Sequence, residues 1–375
     1  MTFALNVILI SSGAVCLAGL LLVFLVWLFV RRRLRPGFWK RVARAHLILV
    51  PLYLLLAPSI LLAGFTRYSM GTRGDELEYA GPRVASDGVW SFQSRASLRE
   101  ERDGDVIVDD DVSSRAAARE VRLESAPGVR ARGFLVESVE QPPRFQAVLV
   151  HGLFRGALEL EKPAAWLHEA GGDVLMVEMR NHGASDRGPP GFGAFERLDV
   201  LAAARFLRSR PGGDDLPLLV YGISLGSAAV LLAAPEIDGL GAVAVDAAIP
   251  ELVGVYHNLL RDRIGMHQPW RSLTLTAVEL LCGFDAAEVR PVAAADLLDP
   301  TLPSLVVAAG DDFRTPPAQV RRVFDAFRAD EGVKEWWLCE PARHARVFDI
   351  EPEAYRDALH RLVQRMIKVD ATRDE

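Results

Sequence analysis

Three cysteines in 375 residues make no disulfide framework. Cys16 lies in an apolar run near the start, while Cys282 and Cys339 stand far apart in sequence. They would pair only in an oxidising compartment, and isolated thiols of this kind are more often small buried residues. A basic surplus is also lacking. The formal charge is −6, and the seven basic residues between positions 31 and 44 carry +7, so the rest sums to −13. Such a chain repels nucleic acid and has no basic stripe to hold it. Charge is missing altogether from Phe3 to Val30, where Asn6 is the one strongly polar residue.

That uncharged stretch is long enough to cross a bilayer. It has no basic region before it, and its arginines follow it, which argues against a cleaved signal peptide. Leu47 to Phe65 is a second uncharged stretch, interrupted by Pro51 and Pro58. Between the two lie Arg31, Arg32, Arg33, Arg35, Lys40, Arg41 and Arg44, with no acid. The expectation is a two-helix membrane hairpin over residues 1–66, its basic loop held on the cytoplasmic side. Everything after Phe65 would then lie outside the cytoplasm. Residues 67–115 read as a polar juxtamembrane connector with a strand at Gly88–Phe92.

Beyond the connector the pattern changes. Glu120–Ser125 alternates polar and apolar, Ala126-Pro127-Gly128 makes a turn, and Val129–Ser138 returns, which predicts a β-hairpin. Buried-type strands follow at Gln146–Val150, Val174–Val177, Leu218–Tyr221, Gly241–Val245, Ser304–Ala308 and Val333–Leu338. Helical patterns at Glu161–Ala170, Phe195–Arg208 and Glu353–Ile367 lie between and after them. This alternation predicts a mostly parallel sheet with helices on both faces, and catalysis at the carboxyl ends of its strands.

One pentapeptide sits at such an end. Gly222-Ile223-Ser224-Leu225-Gly226 follows the Leu218–Tyr221 strand and precedes the small, apolar run Ser227–Ala234. Strand, G-x-S-x-G, helix is the setting of a nucleophile elbow, in which the serine stands exposed on a strained turn at a helix N-terminus. His151-Gly152, Asp311-Asp312 and the segment around His344 also fall just after predicted strands.

On these pieces, together with Arg180-Asn181-His182-Gly183-Ala184-Ser185, Glu196-x-x-Asp199 and Gly310–Pro316, residues 116–375 resemble the α/β-hydrolase superfamily. The likeness is greatest to its membrane-linked serine hydrolases: esterases, acylglycerol lipases and aminopeptidase-like proteins. Glu178, Asn181 and Arg343 depart from that pattern, where Asp, Gly and Gly are usual. The resemblance implies Ser224 as nucleophile, His344 as general base, and a buried carboxylate orienting the imidazole. The acid commonly stands four residues before a proline, which selects Asp312 (with Pro316) over Asp311. Leu153 and Leu225 N–H would form the oxyanion hole. No cofactor or metal is implied.

The same strand ends and helices offer other residues for these roles. Asp246 is a rival acid, one strand earlier. His151 and His182 read as residues that shape loops, and His360 as one on the surface or in a groove. Fewer than sixty residues separate Asp246 from Pro303. They leave space for only a small lid near residues 250–284, with Tyr256, Leu259, Trp270 and Leu280 as its apolar candidates. No charged recognition cluster is evident along the sequence, which favours an apolar acyl substrate. An acyltransferase would use the same triad, and a non-catalytic membrane-tethered binding protein would share the fold.

Overall fold

A strand covered on both faces needs apolar side chains at consecutive positions rather than alternate ones. Phe145–Val150, Leu218–Ile223 and Ser304–Ala309 are such runs, and in a computed structural model every residue of the three is buried. The structure describes residues 56–68, 79–84, 90–94, 116–330 and 332–373. Phe3–Val30, the basic loop and Leu47–Leu55 therefore lie outside the described residues. Residues 56–68 form helix α1. Among the described residues, no helix is long and apolar enough to cross a membrane.

The connector holds more order than its composition suggests. Strands β1 (Tyr79–Val84), β2 (Trp90–Ser94) and β3 (Ala116–Ala117) form a small antiparallel sheet with β1 in the centre. The main sheet follows: β4 (Arg119–Ala126), β5 (Val129–Val136), β6 (Phe145–Val150), β7 (Gly172–Glu178), β8 (Leu218–Ile223), β9 (Leu240–Asp246), β10 (Ser304–Ala309) and β11 (Lys334–Cys339). Their order is β11-β10-β9-β8-β6-β7-β5-β4. The pairs β4–β5 and β5–β7 are antiparallel, and the remaining pairs are parallel.

The helices are α2 (Glu161–Glu169), α3 (Arg197–Arg208), α4 (Leu225–Ala233), α5 (Leu252–Ile264), α6 (Trp270–Cys282), α7 (Pro291–Asp296), α8 (Pro317–Ala326), α9 (Val347–Ile350) and α10 (Pro352–Arg373). Alternate strand residues face opposite sides. Val148, Val150 and Val220 join the core under α3, α4 and α8. Leu149, Leu219 and Tyr221 join a second core under α2 and α10. Two packed faces fix the register of the parallel strands, because a one-residue slip would exchange both sets. As a result, the carboxyl ends of β6, β8, β9, β10 and β11 share one edge.

The chain divides into two compact units, Arg67–Leu259 with Cys282–Glu375, and Met1–Thr66 with Leu260–Leu281. This division falls within residues 250–284, at Leu259/Leu260 and Leu281/Cys282. The first half of α5 stays with the sheet, and Tyr256 is buried there. Residues 260–281 belong instead with the N-terminal segment, where Ser59 Oγ donates to Trp270 O at 3.4 Å. Leu280 and Leu259 are exposed rather than covered.

Candidate active site

The turn after β8 forces Ser224 to φ 53°, ψ −112°. An L-residue rarely adopts this region, and its cost is carried by the surrounding structure. The flanking glycines are required by contact. A Cβ at Gly222 would meet Gly226 O at 2.4 Å, and one at Gly226 would meet Val150 O at 2.4 Å. Ser224 N–H donates to Asp246 O at 2.9 Å, while Ser227 Oγ donates back to Ser224 O. The elbow is thus tied at both ends, and Ser224 Oγ is left facing out of the sheet edge.

His344 meets it there. Its Nε2 lies 2.8 Å from Ser224 Oγ, and its Nδ1 lies 2.7 Å from Asp312 Oδ2. Nδ1–H donates to the carboxylate, so the Nε2 lone pair accepts the serine hydroxyl. The Asp312 side chain is fully buried, and that of His344 is 10% exposed. Burial pushes the Asp312 carboxyl up, but the His344 hydrogen bond and charge, with the bonds from Thr315, outweigh it and hold it below the ordinary range. Arg314 N–H and Thr315 N–H both donate to Asp312 Oδ1, at 2.8 and 3.1 Å. Thr315 Oγ1 donates to Oδ2 at 2.7 Å and stands 3.3 Å from His344 Nδ1. Nothing in the spacing of the sequence marks Thr315 for this place.

The adjacent candidates separate cleanly. Asp311 is exposed, and its Oδ2 accepts from Arg343 Nε at 3.2 Å. This also accounts for Arg343 where glycine is usual. The left-handed residue of the loop is Ala345 (φ 54°), so position 343 imposes no positive φ, and its side chain turns out to solvent.

Asp246 faces the other way. Its Oδ2 accepts from Tyr355 OH at 3.0 Å, and Tyr355 OH in turn lies 2.8 Å from Tyr221 OH. Burial, against the lowering effect of the Tyr355 bond, raises its carboxyl to about 7. An unfolded aspartate titrates near ~3.9. Between these values the folded state binds more protons, so its contribution to stability is full below about pH 4 and declines as pH rises to about 7. Asp246→Asn should flatten that slope and gain stability above pH 7, by on the order of a few kcal/mol. Urea unfolding of both proteins at pH 5 and pH 8 checks it. Parallel slopes would mean that Asp246 ionises no differently in the two states.

Behind the β6 end, two neutral histidines hold the loop that faces the serine. His151 Nδ1–H donates to Gly152 O at 2.7 Å, and its Nε2 accepts Met179 N–H at 3.2 Å. His182 Nδ1–H donates to Arg180 O at 2.9 Å, and its Nε2 accepts Phe154 N–H at 3.1 Å. Burial first, and then the neighbouring His182, lower His151 to about 3, and burial likewise lowers His182. Neither ring reaches Ser224. Gly152 N–H donates to Glu159 Oε2 at 2.7 Å. Among the described residues, Leu153 N–H and Leu225 N–H make no hydrogen bond. His360, on α10, bonds Trp166 O in a groove far along the chain from these loops.

The departures Glu178 and Asn181 have local reasons. Glu178 forms a buried ion pair with Arg132 at 2.7 Å, and a Cβ on Gly183 (φ 50°) would collide with its carboxylate. Asn181 sits at φ 66°, a region that asparagine tolerates, and its Oδ1 accepts Gly188 N–H at 3.0 Å. Glu196 accepts Gly191 and Gly193 N–H, and Asp199 pairs with buried Arg180 at 2.9 Å. Cys282 and Cys339 are both buried free thiols.

A cleft of about 240 Å³ opens over Ser224, with Leu153 and Phe313 among its apolar walls. Four arginines also line it, Arg155, Arg314, Arg343 and Arg346. No charged cluster shows along the sequence because these residues come from three separate loops.

No family model matches the chain. It is 24% identical over 247 residues to the uncharacterized protein YqkD of Bacillus subtilis (strain 168), across 65% of this chain and 78% of that protein. In structure it is similar to the esterase Pf2001 of Pyrococcus furiosus, with TM-score 0.54 and 15% identity, covering 67% of this chain and 93% of that one. It is likewise similar to Est1E from Butyrivibrio proteoclasticus, with TM-score 0.51 and 14% identity, covering 66% of this chain and 99% of that one. Identities this low speak to the fold alone. Strand order, elbow and structural likeness agree: the chain takes the α/β-hydrolase fold.

Proposed function

We propose that the protein is a membrane-anchored serine hydrolase that cleaves a carboxylic ester, thioester or small amide through an acyl-enzyme on Ser224. The observation that carries this is the line from Ser224 Oγ through His344 to Asp312, with contacts of 2.8 and 2.7 Å. In acylation, Ser224 Oγ bonds to the substrate carbonyl carbon as its proton passes to His344 Nε2. The tetrahedral intermediate then breaks its bond to the leaving group, which takes that proton from the imidazolium. Water repeats the sequence in deacylation and releases the acid, returning Ser224 and neutral His344.

Asp312 stabilises the imidazolium without accepting its proton. Leu153 and Leu225 N–H donate to the oxyanion, and each such donor is worth about 3–4 kcal/mol of transition-state stabilisation elsewhere. Glu159, His151 and His182 hold the loop that presents Leu153. The apolar acyl group lies against Leu153 and Phe313. A fluorophosphonate probe applied to the full chain in detergent should label Ser224 in minutes. A chain that stays unlabelled while folded would remove the reading.

Residues 1–66 anchor the chain in a bilayer, and the basic loop keeps the catalytic domain on the outer side. A fusion at the C-terminus to a reporter active only outside the cytoplasm should therefore be active. Activity of a cytoplasm-only reporter at the same position would show a single crossing.

A further inference from the structure

Four guanidinium groups around one serine are an unusual provision for a neutral ester. Arg343 and Arg346 flank His344 on its loop, Arg314 follows Asp312, and Arg155 follows the oxyanion loop; all four line the cleft. They gather in a chain whose formal charge is −6. Glu159 is the one acid in the lining, outnumbered four to one by arginine, and such an excess of one sign concentrates the opposite ion and speeds its arrival.

The pairs these arginines make are partial. Arg343 bonds Asp311 at 3.2 Å, with both side chains at least 70% exposed, so the pair contributes little and can be exchanged for another anion. Arg346 reaches Asp349 at 2.8 Å, and Asp349 is shared with Lys162 at 2.7 Å. Arg155 lies 3.5 Å from Glu159, whose carboxyl burial pushes up against the lowering effect of the Gly152 bond and of Arg155 itself. Among the described residues, Arg314 has no carboxylate within ion-pair distance; its guanidinium stands 5.8 Å from the Phe313 ring.

Position selects the side of the substrate. The leaving group must depart beside His344 Nε2, because that nitrogen returns the proton. Arg343, Arg346 and Arg314 belong to the two loops that carry His344 and Asp312. Leu153 and Arg155 belong to the loop across from them. We propose that the substrate is an ester of an apolar acyl group with an alcohol that carries an anionic group, a carboxylate or a phosphate, held by Arg314, Arg343 and Arg346. This rests on the serine-hydrolase reading and deepens it.

The test uses the full chain and two matched pairs. One compares 3-butyryloxybenzoate with its methyl ester, the other 1-butyrylglycerol 3-phosphate with 1-butyrylglycerol, each corrected for its hydroxide-catalysed rate. In at least one pair, kcat/KM for the anionic ester should exceed that of the neutral one by about 10-fold, as charge-assisted contacts at a half-exposed site allow. The pair that responds identifies the anion. The preference should shrink as salt rises past ~0.1 M, where the Debye length is about 10 Å. It should also collapse by roughly 3- to 10-fold in each of Arg314→Gln, Arg343→Gln and Arg346→Gln.

Equal or lower corrected rates for both anionic esters, with the neutral esters turned over and Ser224 labelled, would overturn the inference and leave the hydrolase standing. No turnover of any of the four esters and no labelling would overturn the hydrolase reading, and this inference with it.

Discussion

Ser224→Ala should lose fluorophosphonate labelling completely and ester turnover by about 10⁴- to 10⁶-fold, as removal of the nucleophile does in characterised serine hydrolases. The size follows from what the residue supplies. Among the described residues, no other hydroxyl meets His344 Nε2, whose partner is Ser224 Oγ at 2.8 Å. Stability should hardly change. Alanine at φ 53° bears the same backbone cost as serine, and the backbone bonds to Asp246 and Ser227 do not use the hydroxyl hydrogen. Thermal unfolding of the variant beside the parent checks that the loss is chemical. Labelling retained at full rate would move the nucleophile elsewhere.

Asp312→Asn should reduce turnover of a short p-nitrophenyl ester by about 10⁴-fold, and Asp311→Asn should leave it close to the parent value. With an amide at position 312, nothing accepts His344 Nδ1–H in the charged geometry. The proton then favours Nε2, where it blocks acceptance from Ser224. Asp311 is exposed; its carboxylate accepts from Arg343, and its N–H donates to Ala342 O on the loop that carries His344. Asp246→Asn belongs in the same series, since its carboxylate bonds Tyr355 rather than the imidazole. The reverse ranking of Asp311 and Asp312 would transfer the role of acid to the neighbouring residue. Thr315→Val should fall between them, because it removes one hydrogen bond to the Asp312 carboxylate and keeps the charge.

The sheet was legible because its central strands are apolar at successive positions. All six residues in each of β6, β8 and β10 are buried, as a strand covered on both sides requires. The elbow was legible because contact, rather than preference, demands glycine at 222 and 226. Ser224 and Asp312 each follow such a strand, His344 follows the half-buried edge strand β11, and parallel register carries all three to one edge.

Other features depend on relations that no local pattern records. The grouping of residues 260–281 with the N-terminal segment joins parts about two hundred residues apart. β1 and β3 pair across a connector whose composition is that of solvated surface. Glu159 reads as an ordinary acid at a helix start, yet it holds Gly152 N–H beside the serine. Thr315 acts through the direction of a single hydroxyl. The four arginines become a set only when three loops close around one cleft.

The central claim is a covalent acyl-enzyme on Ser224. Mixing the full chain with p-nitrophenyl butyrate, quenching in acid within milliseconds and mapping the peptides by mass tests it directly. The account predicts a butyryl adduct confined to the peptide that contains Ser224, absent from Ser224→Ala and lost on the timescale of turnover. Turnover with no adduct at any quench time, or an adduct on another residue that persists in Ser224→Ala, would contradict it.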